Sequence, residues 1–129
     1  MAPSFKPNGY TSVAPYLMVT GAPKVIDFLK QTLGATEHRR FDMPDGTVMH
    51  VELKIDDTIV MMAEGGGAWP AFPTWLHVYV PDVDATYTRA LAAGGIAVQP
   101  PEQKQGDPDR RGGVKDPSGN TWWFSTQVG

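Results

Sequence analysis

A chain of 129 residues, 41% of them hydrophobic, can enclose one core, so a single domain over residues 1–129 is expected. Eleven basic against fourteen acidic side chains leave a net charge of −3, which gives no footing for nucleic acid, and the absence of cysteine excludes disulfides, thiolate metal sites and a cysteine nucleophile. No segment has the unbroken apolar length of a bilayer span or a secretory leader, so the expectation is a cytoplasmic protein without a membrane partner.

In chain order, Met1 to Ser12 reads as an irregular arm in which Pro3, Pro7 and Gly9 oppose regular structure, and no function is expected there. A strand follows over about Val13 to Val19. Pro23 suits the first turn of a helix, where its missing N–H is not needed, and Val25, Ile26, Leu29 and Leu33 form an apolar stripe before Gly34 stops it. A second strand, Thr36 to Phe41, carries His38, Arg39 and Arg40 and reads as a solvated edge. Asp45-Gly46 signals a hairpin. In the next strand, Thr47 to Ile55, the apolar set Met49, Val51, Leu53 and Ile55 alternates with His50, Glu52 and Lys54, so the first set is predicted to face the helices. Asp56-Asp57 turns the chain into Thr58 to Ala63, an apolar run that fits a strand buried on both faces.

Residues 65–73, GGGAWPAFP, break every period and read as a linker. Beyond it the pattern repeats with an offset of sixty-one residues: Ala14 to Val19 aligns with Trp75 to Val80, and Gly34 with Gly95. In the second copy, Trp75, His77 and Tyr79 alternate with Leu76, Val78 and Val80. Asp82 can cap a helix whose stripe is Val83, Tyr87, Ala90 and Leu91, and Gly94 and Gly95 end it. Ile96 to Val98 corresponds to the earlier edge strand, and Pro100 to Arg111 reads as a long polar loop. Gly113 to Lys115, the turn Asp116 to Asn120 and Thr121 to Thr126 make the last hairpin. The fold class is α+β, with one β-α-β-β-β module over 13–64 and another over 74–126.

Two such modules closed by DPSGNTWWF resemble the vicinal oxygen chelate superfamily, which includes glyoxalase I, bleomycin-resistance proteins and extradiol dioxygenases. The likeness is carried by PYLMVTGAPKVIDFLKQTLGA, PDGTVMHVELKIDDTIVMMAE, LHVYVPDVDATYTRALAAGG and VKDPSGNTWWF, and is greatest to the small PhnB-like branch. It implies a cupped mixed sheet with helices on its outer face, a ligand on the concave side and a homodimer. Metal-using relatives place His, Gln or Glu at one inward position in the first and last strand of each module. Here those positions read as Ala14, Met61, Trp75 and Trp123, none with an atom suited to a divalent ion, so no metal and no cofactor are expected. A two-residue displacement in one strand would bring in His77.

Tyr16, Met61, Trp75, Tyr79 and Trp123 are the predicted aromatic and apolar lining, which either holds a flat or amphipathic organic ligand or simply fills the cup. Trp122 and Phe124 should point into the core. His50, Glu52 and His77 lie on the concave side as ligand contacts, with four readings open: a metal-binding triad, acid and base on a small oxygenated substrate, hydrogen-bonded pocket groups, or an ordinary solvated strand face. Arg110 and Arg111, beside Asp107, could clamp an acid or lie solvated in the loop. The leading reading is a metal-independent small-molecule binding protein. The alternative is an enzyme of the same superfamily, a lyase, isomerase or oxygenase, and a third reading is a filled cup with a role in interaction alone.

Overall fold

Glycine, proline and acidic turn residues divide residues 4–129, the part described by the computed structural model, into eight strands and two helices. The first half holds β1 (Tyr16–Val19), α1 (Ala22–Leu33), β2 (Thr36–Asp42), β3 (Val48–Ile55) and β4 (Thr58–Glu64). The second holds β5 (Trp75–Tyr79), α2 (Val83–Ala92), β6 (Ile96–Glu102), β7 (Asp109–Lys115) and β8 (Thr121–Gln127). Each half forms its own sheet, ordered β1-β4-β3-β2 and β5-β8-β7-β6, and the two sheets share no ladder. In both, the first strand runs parallel to the last and the remaining pairs are antiparallel. The glyoxalase-like α+β architecture is therefore present as two half-cups. No helix among the described residues is long and apolar enough to cross a membrane.

One face of each sheet is covered. Leu17, Val19, Val51, Leu53 and Met62 from the first sheet join Val25, Ile26, Phe28 and Leu29 of α1, Val83 and Ala90 of α2, and Val114, Trp122 and Phe124 of the second sheet in one continuous core. Burying side chains of this size stabilises the fold by roughly 1.5–3 kcal/mol each before the entropy of ordering is subtracted. The helices meet inside the chain, where the Arg89 guanidinium donates to the Thr32 carbonyl at 3.3 Å. The uncovered sheet faces are thus left to line separate pockets.

The helix starts are built differently. Gly21 has no side chain to cap α1, and the Glu64 carboxylate at the end of β4 accepts instead from the Gly21 and Ala22 amides at 2.9 and 2.8 Å. Helix α2 has the expected local cap, the Asp82 carboxylate accepting from the Ala85 amide at 3.1 Å. The DPSGN turn has its own centre. Asp116, 2% exposed, accepts from the Ser118 and Asn120 amides, the Asn120 side chain and, at 2.9 Å, the Trp122 indole N–H, which satisfies the one polar atom of the largest buried side chain.

Four expectations need correction. The register shifts between Phe41/His50 and Asp42/Val48, leaving Met49 as an extra residue in β3. Val48 takes the core position predicted for Met49, which is 51% exposed. Leu91 lies outside the α2 stripe at 39% exposure. The first strand begins at Tyr16, three residues later than Val13. The expected loop Pro100 to Arg111 shrinks to 103–108, because β6 continues through Pro100 and Pro101 on a sheet edge, where a missing donor costs no ladder bond. Of the irregular arm, residues 1–3 lie outside the described part; the remainder is treated below.

Candidate functional site

The open face of the second sheet holds a pocket of about 430 Å³. Alternation along β5 brings Trp75 and His77 to this face, and the parallel register sets His77 beside Trp123 on β8. The rings of Trp75 and Trp123 meet edge to face at 5.4 Å. What gives the pocket its depth is the absence of a side chain on β7. Gly113 is the ladder partner of Trp123, and a Cβ there would lie 2.6 and 2.7 Å from two atoms of the indole. The ring therefore lies down across the glycine and forms a floor, while Trp75, 74% exposed, forms a wall.

The polar side of this pocket comes from β6, β7 and the loop between them. Arg111 donates to the Ser125 hydroxyl at 2.9 Å and pairs with Asp107 at 2.8 Å and Asp109 at 3.2 Å. Its guanidinium is therefore neutralised inside the protein, neither solvated in a loop nor free to clamp an acid as its placement at the loop end suggested. Arg110 points elsewhere and forms a two-pronged pair with Asp84 of α2. His77 sits 2.9 Å from the Ser125 hydroxyl. Burial, with the Arg111 charge second, holds its imidazole below the usual histidine range, so it is neutral at pH 7. Tyr79 stacks edge-on to His77 at 4.8 Å and donates to buried Asp109 at 2.7 Å, outside the lining of this pocket.

The first sheet presents a different face. Tyr16 and Met61 are ladder neighbours, and Met61 is opposite Glu52 on the other side. Glu52 is 3% exposed. It receives the Tyr10 hydroxyl on Oε1, meets the His50 Nε2 at 2.7 Å on Oε2, and has Arg39 3.8 Å away. Burial alone would push this carboxyl up, but the bonds from His50 and Tyr10 and the Arg39 charge outweigh it and hold Glu52 below the ordinary range. The other ring nitrogen of His50 lies 2.9 Å from the Tyr16 hydroxyl. The arm thus contributes Tyr10, and Arg39, on the solvated edge strand as expected, lies over its ring at 5.6 Å.

Within one chain His50 and Glu52 belong to the first sheet and His77 to the second, so the three do not converge on one point. Among the described residues no group of three His, Asp or Glu side chains is arranged to hold an ion. The register shows why. The inward neighbours are Tyr16 with Met61 and His77 with Trp123, two residues along from Ala14 and Trp75, and of these four only His77 offers a nitrogen suited to a divalent metal. The donor set does not fit the metal that the fold family uses. Asp109, Ser125 and Gly113 are site residues that pattern reading missed. The signal was the glycine pair Gly112-Gly113 inside β7, a mark of close approach.

Comparison with known proteins agrees with this architecture. The family model of the Glyoxalase/Bleomycin resistance protein/Dioxygenase superfamily matches residues 10–124. The uncharacterised protein Rv0887c of Mycobacterium tuberculosis is 34% identical over 132 aligned positions, covering 94% of this chain and 77% of that protein. The crystal structure of TioX from Micromonospora sp. ML1 superposes with a TM-score of 0.76 at 27% identity, covering 91% of this chain and 98% of TioX. TnmS3, an antibiotic binding protein from Streptomyces sp. CB03234, shares the fold at a TM-score of 0.69 and 18% identity, over 98% and 99% of the two chains.

Proposed function

This chain belongs to the Glyoxalase/Bleomycin resistance protein/Dioxygenase superfamily, and from that premise we propose that it is a metal-independent binding protein for a flat, uncharged aromatic small molecule. The observation that carries this reading is the Trp123 ring lying across Gly113 with Trp75 upright beside it. A planar ligand stacks on such a floor and gains dispersion and desolvation over both faces. Because Arg111 is already matched by two aspartates, the pocket offers no open guanidinium fork to an acid, which favours a neutral ring system. Neutral His77 and the Ser125 hydroxyl can orient one polar group on that ring.

The protein acts as a homodimer in this reading, with its two modules working as one domain. Met49 and Trp75 on the open faces are 51% and 74% exposed, an apolar area that a second copy would cover. Each half-cup would then gain a lid. Titration with acridine, followed by tryptophan quenching, is the direct test: saturable binding is expected in the wild type, and Trp123→Ala should weaken it at least about tenfold, a loss of about 1.4 kcal/mol. Unsaturable quenching would reject the pocket. Metal analysis after purification without chelator should find less than about a tenth of an equivalent, since a divalent site typically needs three converging donors. Light scattering at micromolar concentration should give twice the 14.0 kDa chain mass, and a monomer would remove the lid.

A further inference from the structure

Tyr16, His50 and Glu52 stand in a line of hydrogen bonds that ligand binding on the second sheet does not use. Spacing puts them there: His50 and Glu52 are two apart on β3 and share a face, and Tyr16 reaches them from β1 across Met61. The protons can be assigned. A carboxylate only accepts, so Glu52 takes the N–H of His50 Nε2 at 2.7 Å and the O–H of Tyr10. A ring carrying that single proton presents Nδ1 as an acceptor, and the Tyr16 hydroxyl donates to it at 2.9 Å. The order is hydroxyl, imidazole, carboxylate, with the carboxylate buried and the hydroxyl-bearing residue 45% exposed. Tyr16 opens onto a cavity of about 650 Å³ whose walls include Met18, Met43, Met49, Ala63 and Trp69. Such walls accept an apolar molecule and adapt to its shape.

We propose that Tyr16 is a base-activated nucleophile for an apolar acyl donor, with His50 as its general base and Glu52 and Tyr10 as positioning residues. The reaction class is acyl transfer. The Tyr16 Oη bonds to the acyl carbon, and the bond from that carbon to its leaving oxygen breaks. The leaving group keeps the electron pair, and the Tyr16 proton passes to Nδ1 of His50. The imidazolium so formed is held against the Glu52 carboxylate, as a base in such a line requires. A phenol suits this role, since it yields its proton more readily than an alcohol does.

The proposal stands independently of the ligand reading of the second sheet, and its test uses a different probe. Full-length protein is treated with p-nitrophenyl acetate, nitrophenolate release is followed by absorbance, and the acetylated residues are mapped by peptide mass spectrometry. Tyr16 should acetylate about a hundredfold faster than Tyr79, a more exposed phenol whose hydroxyl is committed to Asp109. Tyr16→Phe should remove the fast phase. His50→Gln keeps a hydrogen-bonding side chain at a partly exposed site but cannot take up the proton, so it should erase the preference while leaving the melting temperature within a few degrees. Glu52→Gln should lower the rate less. Should that variant fail to fold, His50→Gln still decides the matter. Acetylation of Tyr16 at the rate of Tyr79, or at an unchanged rate in His50→Gln, would overturn the proposal.

Discussion

Replacing Gly113 by alanine tests the pocket at the atom that makes it. The added Cβ would meet Trp123 Cζ3 and Cε3 at 2.6 and 2.7 Å and Cη2 at 3.2 Å, so the indole must lift away from β7. Overpacking of this kind costs about 1–3 kcal/mol. Alanine also loses less conformational freedom on folding than glycine, which offsets about 0.4–1 kcal/mol where the backbone is compatible. Gly113 has no positive φ, so that compensation applies. The net is about 1–2 kcal/mol of destabilisation, or a fall of roughly 4–8 °C in melting temperature for a domain between the size classes usually tabulated. The larger effect should be on binding, because a lifted indole occupies the space a planar ligand would take. Acridine quenching should weaken at least about tenfold. Gly66→Ala, at a residue with open space around it and no positive φ, is the control and should leave both readouts unchanged. Equal affinity and equal melting in Gly113→Ala would show that Trp123 is not held flat by the missing side chain, and the argument for an open floor would fail with it.

Three further outcomes follow from the same geometry. Because His77 titrates lower in the folded chain than in the unfolded one, its contribution to stability is full above the ordinary value of about 6.5 and falls away as pH drops through the lowered folded value. The melting temperature should therefore fall between pH 7 and pH 5, by less in His77→Gln, and an identical fall in the variant would refute this assignment. Asp116→Ala leaves the Trp122 indole N–H and two turn amides without their acceptor and should cost about 4 kcal/mol in urea unfolding, with Asp116→Asn intermediate. Arg110→Ala removes only a surface pair with Asp84, whose side chain is 58% exposed, and should leave the urea unfolding midpoint close to that of the wild type, with any difference vanishing in high salt.

Much of the architecture was legible because each cue is local. The proline in the first turn of α1, the Asp82 cap and the apolar stripes all report contacts within a few residues of themselves, and the sixty-one-residue echo repeats such local cues. So does the inward direction of Trp122 and Phe124, both 0% exposed. The misses are relations between strands. The extra residue at Met49 is invisible until β2 is paired with β3, and it exchanges Val48 for Met49 in the core. Pro100 and Pro101 read as loop because proline opposes central strands, yet β6 is an edge. That misreading hid β7's start, and with it Asp109 and the pairing of Arg111. The convergence of Tyr16, His50, Glu52 and Tyr10 spans β1, β3 and the arm, and no spacing rule joins segments so far apart.

The two helix caps give the near-equal modules unequal histories during folding. Helix α2 carries its own cap in Asp82, so its first turn can close as soon as its residues leave the ribosome. Helix α1 waits for Glu64, which lies 42 and 43 residues beyond the amides it receives and is placed only when β4 has paired with β1. Until then a nascent chain presents a frayed helix start and an uncovered strand. In refolding of the complete chain, where both caps are present from the start, the order of amide protection in pulsed hydrogen exchange should accordingly run from α2 to α1.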